Sequence, residues 1–335
     1  MKKGKFSLPH PGHLEGLKEI LRYRVYEIYM GGSPEFIGTG RGNVGITPSI
    51  EDVREQVRLI HRKGVKLNIA INSSCLRGWH LTQEGYRSYM WYLSALEEAG
   101  VDALTVADPY LVELAKREFK MKVTVSCIAF VNTPEKARFF EKLGADAIAI
   151  DPNINRDFET LEGIRASVDC DLKVLVNEGC LYQCPFRYAH FNLISHVHGP
   201  EPRAKPLYDY YSNKCLALRV RDPELIIKSP WIRPEDLEAY EEIGIDIFKL
   251  CGRTQTAGWL KNVISAYLNR SYEGNLMDLL DAPREIKNLF YIPNKELDGA
   301  LDRWKVCKKV CKECGYCHEL TERVINKAST IPTMI

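Results

Sequence analysis

Four segments of the chain repeat one pattern of polar and apolar positions: HRKGVKLNIAIN, EEAGVDALTVAD, EKLGADAIAIDP and EEIGIDIFKLCG. In each, a charged helix end runs into a glycine (Gly64, Gly100, Gly144, Gly244) and then into an apolar run. Glycine just past a helix lets the backbone turn left-handed, and an unbroken apolar run suits a strand buried on both faces. Helix starts are legible at Thr47-Pro48, Thr133-Pro134 and Arg233-Pro234-Glu235, where proline sits early and acidic residues follow. The pattern predicts strands at 6–8, 25–30, 65–72, 103–107, 123–129, 147–151, 172–177 and 245–250. Amphipathic helices fall between them, among them 13–21, 50–62 and 134–143. Parallel strands need helical crossovers, so eight alternations predict an α/β fold, a (β/α)8 TIM-type barrel. A doubly wound open sheet is the competing arrangement, but no GxGxxG follows the first strand.

Spacing adds a second feature. Between the seventh and eighth strands the chain is far longer than one helix requires. The excess, residues 180–229, reads as an insertion at the catalytic face of the barrel. Its stretch GPEPRAKPLYDYYSNKC reads as an ordered loop without regular structure. The barrel is assigned to residues 1–270 and a cysteine-rich C-terminal extension to 271–335.

The chain has 335 residues and a net charge of +2. That balance gives no support to a polybasic nucleic-acid tail. No apolar run reaches the roughly 20 residues of a membrane helix, and MKKGKFSLPH lacks the apolar segment of a secretory signal. The expected location is cytoplasmic. Eleven cysteines change the picture. A reducing compartment does not keep disulfides, so cysteines gathered by the fold point to metal. Cys75, Cys127 and Cys170 stand alone and read as packing residues.

Cys180 and Cys184 follow the seventh strand in LVNEGCLYQCPFR, Cys215 lies in the insertion, and Cys251 tips the eighth strand in FKLCGR. Neighbouring strand ends converge, so these four thiols are candidates for a 4Fe–4S cluster, with zinc or no metal as the alternatives. The extension carries CKKVCKECGYC, placing Cys307, Cys311, Cys314 and Cys317 within eleven residues. That spacing resembles a ferredoxin run with its three-residue gap first; a second cluster or zinc would satisfy it. Cys307-x3-Cys311-x2-Cys314 also fits the CxxxCxxC signature of radical-SAM enzymes, but there the barrel follows the motif, and here only 21 residues follow Cys314.

Several segments together carry a resemblance: LPHPGHLEGLKEIL, HRKGVKLNIAIN, AGVDALTVADPYLVELAKREF, TVSCIAFVNTPEKARFFEKLGA and GIDIFKLCGR. In their order they resemble the collagenase-like peptidase family of unassigned catalytic type, relatives of which include the ubiquinone-biosynthesis proteins UbiU and UbiV. The resemblance implies an iron–sulfur protein of oxygen-independent hydroxylation, acting on quinone precursors or RNA bases, with prephenate the oxygen donor in some members. It implies a 4Fe–4S site at the barrel mouth, onto whose first three ligands Cys180, Cys184 and Cys215 map. The chain departs from the family in the close spacing of the first pair. The family's fourth cysteine is missing from SPWIRPEDL, and Cys251 stands where the family has an acidic residue. Cys251 is therefore the candidate fourth ligand. The C-terminal cysteine group is not a general feature of the family.

Other candidates surround the mouth. Arg41 and Asn43 in GTGRGNVG, with Asn72 and Asp108 at strand ends, are assigned to substrate binding. Asp151 ends the sixth strand in the same way, and capping a helix would explain Asp108 equally well. Glu178, Arg187 and His190 flank the first cysteine pair and are assigned to catalysis, to bind an acidic substrate and move protons. His196 and His198 read as solvated loop residues. The expected activity is redox modification, foremost oxygen-independent hydroxylation, of a small molecule first and an RNA second. A peptidase built on Cys184 and His190 is one alternative, although the chain has no HExxH and no GxSxG. A non-catalytic electron-transfer or assembly protein is the other. An electron donor or a homologous partner subunit would complete the redox reading.

Overall fold

The computed structural model describes residues 4–33, 48–197 and 207–327. Eight parallel strands close into a barrel in sequence order: β1 (Lys5–Pro9), β2 (Glu27–Gly31), β3 (Lys66–Ala70), β4 (Ala103–Val106), β5 (Lys122–Val125), β6 (Ala147–Ala149), β7 (Asp171–Leu175) and β8 (Ile247–Lys249). Closure is made by Phe6 of β1 lying opposite Phe248 of β8. The (β/α)8 expectation is met. Helices α1 (Leu14–Ile20), α2 (Ile50–His61), α3 (Gln83–Glu98), α4 (Pro109–Glu118), α5 (Pro134–Lys142) and α6 (Phe158–Ser167) each follow one of the first six strands. The four glycines of the repeated pattern have φ of 66°, 88°, 98° and 80°, the left-handed region the pattern requires.

After β7 the insertion folds as α7 (Arg187–Val197), α8 (Tyr210–Arg221) and α9 (Glu224–Lys228), and α10 (Leu237–Glu242) leads into β8. The expectation of an irregular loop is overturned from Tyr210 onward. Asp209 accepts a hydrogen bond from the Ser212 N–H at 3.0 Å, and this cap starts α8, which carries Cys215 on its second turn. Thr47 lies outside the described residues, and α2 is capped instead by Ser49, in a reciprocal box with Asp52. Helix α11 (Ala257–Asn269) completes the barrel. The extension adds α12 (Arg284–Leu289), β9 (Phe290–Tyr291), α13 (Ala300–Lys305), α14 (Cys311–Cys314), α15 (Tyr316–Val324) and β10 (Asn326–Lys327), with β9 and β10 antiparallel.

The barrel interior holds a buried polar network centred on Glu27. The Glu27 carboxylate accepts from Ser7 Oγ at 2.6 Å, Asn68 Nδ2 at 3.1 Å and, through both oxygens, Lys173 Nζ at 3.0 Å. Burial works against the charge of Glu27, but Lys173 and the hydrogen bonds outweigh it and hold the carboxyl below its ordinary value. A second apolar core lies outside the barrel. There Ile226, Ile227 and Trp231 at the end of the insertion pack with Met277, Leu280, Trp304, Leu320 and Val324 of the extension. Insertion and extension thus share one core, and this fixes both against the β7 side of the barrel.

Candidate metal centre and substrate pocket

The chain leaves β7 through Asn177, whose side chain holds the backbone of Cys251 (N–H to Oδ1, 2.7 Å) and ties the β7 and β8 ends together. At Gly179 a Cβ would come within 3.1 Å of the Asp281 carbonyl oxygen, so glycine lets the extension pass close by. Cys180 and Cys184 flank a tight turn in which Gln183 takes a left-handed φ of 48° and donates its N–H to Asn153 Oδ1 at 2.8 Å. Helix α7 starts at Arg187, directly after this turn.

Cys180, Cys184 and Cys215 line one pocket of about 520 Å3, together with Arg187, His190, Asp209, Arg219, Gln255 and Asp281. Three of the expected thiols are therefore brought together from three sequence positions. Burial pushes the Cys184 thiol up. Arg219 donates to the Gly179 carbonyl at 2.7 Å and to Cys215 Sγ at 2.7 Å. Arg187 is 5% exposed, and its Nη2 lies 3.4 Å from Glu178. Burial opposes the charge of Arg187, but Glu178 and the thiols of Cys180 and Cys127 outweigh it, and the guanidinium stays charged. Arg187 Nε and Nη1 and Arg219 Nε are buried without a hydrogen-bond partner. Unpaired guanidinium nitrogens are costly to bury, and beside thiols they suit an anionic ligand. A thiolate-ligated cluster supplies that negative charge, so the donor set fits one. Among the described residues no three Cys, His, Asp or Glu side chains stand close enough to hold a bare metal ion.

Cys251 does not line this pocket. It is buried in a small apolar group with Ala149 and Leu175, and Cys127 packs against that group. Glu178 is buried; its backbone forms an isolated parallel bridge with Asp281, and its side chain pairs with Arg187. His190 sits on the pocket wall, its Nε2 3.3 Å from Asp209 Oδ2 and 3.4 Å from Ser212 Oγ. Both contacts fall on one ring nitrogen, whereas a hydrolytic triad places acid and nucleophile on opposite nitrogens. Asn72 is buried over the strand ends and donates to Ser126 Oγ at 2.8 Å. Asp108 caps α4 through the Leu111 N–H and faces His80 at 3.6 Å, so its capping role is the one observed. Asp151 likewise accepts from the Asn153 N–H at 3.1 Å. Arg41, Asn43 and His198 lie outside the described residues.

The four cysteines of the extension line a different concavity, of about 340 Å3. Aromatic side chains edge the barrel-mouth pocket. Phe186 and Tyr211 lie on or beside its wall, Tyr210 packs edge-on to both, and Tyr188 stacks on Phe130 with centroids 4.4 Å apart. Tyr188 and Tyr210 are both exposed. Three residues were not singled out in the sequence: Arg219, Arg156 and Lys249. Lys249 is the one polar residue in the IFKL strand, an oddity that could have flagged it. Its Nζ stands 4.1 Å over the Tyr29 ring, and burial lowers its pKa against the opposing Cys127 thiol.

An eight-stranded barrel with a thiol-lined, arginine-bearing pocket at its β7 end is the class of protein described. The chain belongs to Peptidase family U32, whose model matches residues 12–274. It is 46% identical, over 96% of its length and 98% of the relative's, to the uncharacterized protease MJ1657 of Methanocaldococcus jannaschii. It is 23% identical to the tRNA hydroxylation protein P1 of Bacillus subtilis, over 76% of this chain and 60% of that one. Identity is 22% to the 23S rRNA 5-hydroxycytidine C2501 synthase of Escherichia coli, over 75% of this chain but 36% of that one. Among solved structures, the U32 peptidase Mk0906 superposes with a TM-score of 0.56 at 25% identity, covering 75% of this chain and 94% of that one. No helix among the described residues is long and apolar enough to cross a membrane.

Proposed function

We propose that this protein hydroxylates a base of RNA without dioxygen, using an iron–sulfur cluster held by Cys180, Cys184 and Cys215 at the barrel mouth. The observation that carries the reading is the pair of buried guanidinium groups, Arg187 and Arg219, whose unpartnered nitrogens accompany three thiols in one pocket. When bound, the cluster would supply a redox-active iron centre to the pocket. Arg187, fixed by Glu178, then holds a negatively charged donor or phosphate, and His190, paired with Asp209, is placed to move a proton. Replacing C–H by C–OH oxidises the base by two electrons, and an organic oxygen donor is reduced by the same two.

The RNA assignment draws on two relatives named for tRNA and rRNA hydroxylation. The exposed Tyr188 and Tyr210 support it, because aromatic faces beside a pocket stack unpaired bases. A net charge of +2 sums over the whole surface and says nothing of this rim. The peptidase reading gains nothing from the His190 geometry. The test compares nucleosides of total RNA from anaerobic cells lacking the gene and complemented with wild type or C180S/C184S. The expected result is a nucleoside heavier by one oxygen atom that returns with wild type alone. Identical RNA in all three strains would end the proposal.

A further inference from the structure

We propose that Cys307, Cys311, Cys314 and Cys317 hold a second inorganic centre, an iron–sulfur cluster seated beside the guanidinium of Arg156. The four thiols come from the stretch after α13, from α14 and from α15, and they line one concavity of about 340 Å3. Arg156 reaches this place from the turn after β6. It donates to the carbonyls of Ile227 at 2.7 Å and Trp231 at 3.2 Å, and its guanidinium lies 3.6 Å from the Trp304 ring and 4.4 Å from the Trp231 ring. With Cys307, Cys311 and Cys317 it lines a cleft on the apolar side of the thiols.

Arg156 is half-buried, no carboxylate pairs with it among its hydrogen bonds, and its buried Nε has no partner. A cation kept in such a place favours an anionic neighbour, and the thiols that line the cleft with it would supply one once deprotonated. Other donors converge on the same sulfurs. The Lys309 N–H donates to Cys307 Sγ at 3.4 Å, and Arg303 Nη2 is 3.8 Å from Cys314 Sγ. N–H groups directed at sulfur stabilise a thiolate-ligated cluster and tune its potential.

Spacing selects among metals. A structural zinc site pairs two short knuckles around one ion, whereas gaps of three, two and two residues form one continuous run. All four thiols line one concavity. The two thiol groups also stand back to back. Tyr182 lines the cleft shared with Cys307, Cys311 and Cys317, while Cys180 and Cys184, two residues to either side, line the barrel-mouth pocket. This inference does not depend on RNA being the substrate, nor on the barrel-mouth cluster.

The test is iron, acid-labile sulfide and zinc analysis of the full chain purified anaerobically, for wild type, C311S/C314S and C180S/C184S. Cys311 and Cys314 are exposed, so their serine variants remove thiols without disturbing a core. The expected result is a loss of about four irons and about four sulfides per chain in C311S/C314S relative to wild type. Unchanged iron in that variant, or wild-type zinc that disappears from it, would overturn the proposal. Loss in C311S/C314S with none in C180S/C184S would keep the tail site and refute the barrel-mouth one; the reverse pattern would do the opposite.

Discussion

At the barrel mouth the thiols stand at the end of β7 and on α8, anchored by a closed sheet, and are gathered from residues 35 positions apart. In the extension, four thiols lie within eleven residues on or beside short helices, next to α15 and Trp304, which pack into the shared core. Both groups have an arginine with a buried, unpartnered nitrogen beside them, Arg187 in one case and Arg156 in the other. The electrostatics are alike and the scaffolds differ. At the mouth the barrel prepays the ordering of distant ligands; in the extension proximity in sequence does so, and a bound centre would contribute more of the local stability.

The comparison can be broken first by Glu27→Gln, for which the largest effect on the barrel is expected. Removing one partner of the buried pair leaves Lys173 charged and unmatched, and should destabilise the barrel by about 4 kcal/mol. Urea unfolding at neutral pH measures it; a change under about 1 kcal/mol would show the network to be dispensable. Trp304→Ala tests the other scaffold. It removes the edge-on contact with Trp231 (centroids 5.3 Å apart) and the platform of Arg156, at an expected cost of about 3 kcal/mol. Metal should then be lost from the extension and kept at the mouth. Equal loss from both would mean that the two sites are one cooperative unit.

A subtler distinction lies in acid. Burial, helped by nearby His13, lowers His10 from 6.5 to about 4, so the unfolded chain binds a proton there before the folded one does. Stability from this group is present above pH 6.5 and lost as the pH falls toward 4, by roughly 3 kcal/mol at most. His10 directly follows β1, so the loss should appear in barrel unfolding and vanish in His10→Asn. A pH profile unchanged by that substitution would contradict the assignment.

The barrel was legible because glycine, helix end and apolar run recur with the same order, and each physical requirement leaves its own residue type. The thiol pocket was legible in part. Cys180 and Cys184 are marked by adjacency to a strand end, but Cys215 depended on α8, whose helical start at Asp209 is hidden in a Pro- and Tyr-rich stretch. Cys251 shows the limit of strand-end reasoning. A residue at the tip of β8 can turn into apolar packing with Ala149 and Leu175, away from the pocket. Arg156 and Arg219 were invisible because a lone arginine in sequence gives no sign of whether it will be buried. Their significance comes from tertiary partners alone.

The most direct test removes the extension's contribution and asks what the barrel holds alone. In a chain with Cys307, Cys311, Cys314 and Cys317 all changed to serine, anaerobic purification followed by iron and sulfide analysis should find about four of each per chain. Additional replacement of Cys180 should abolish them. A folded barrel that carries no iron after anaerobic reconstitution, with Arg187 and Arg219 still in place, would contradict the account.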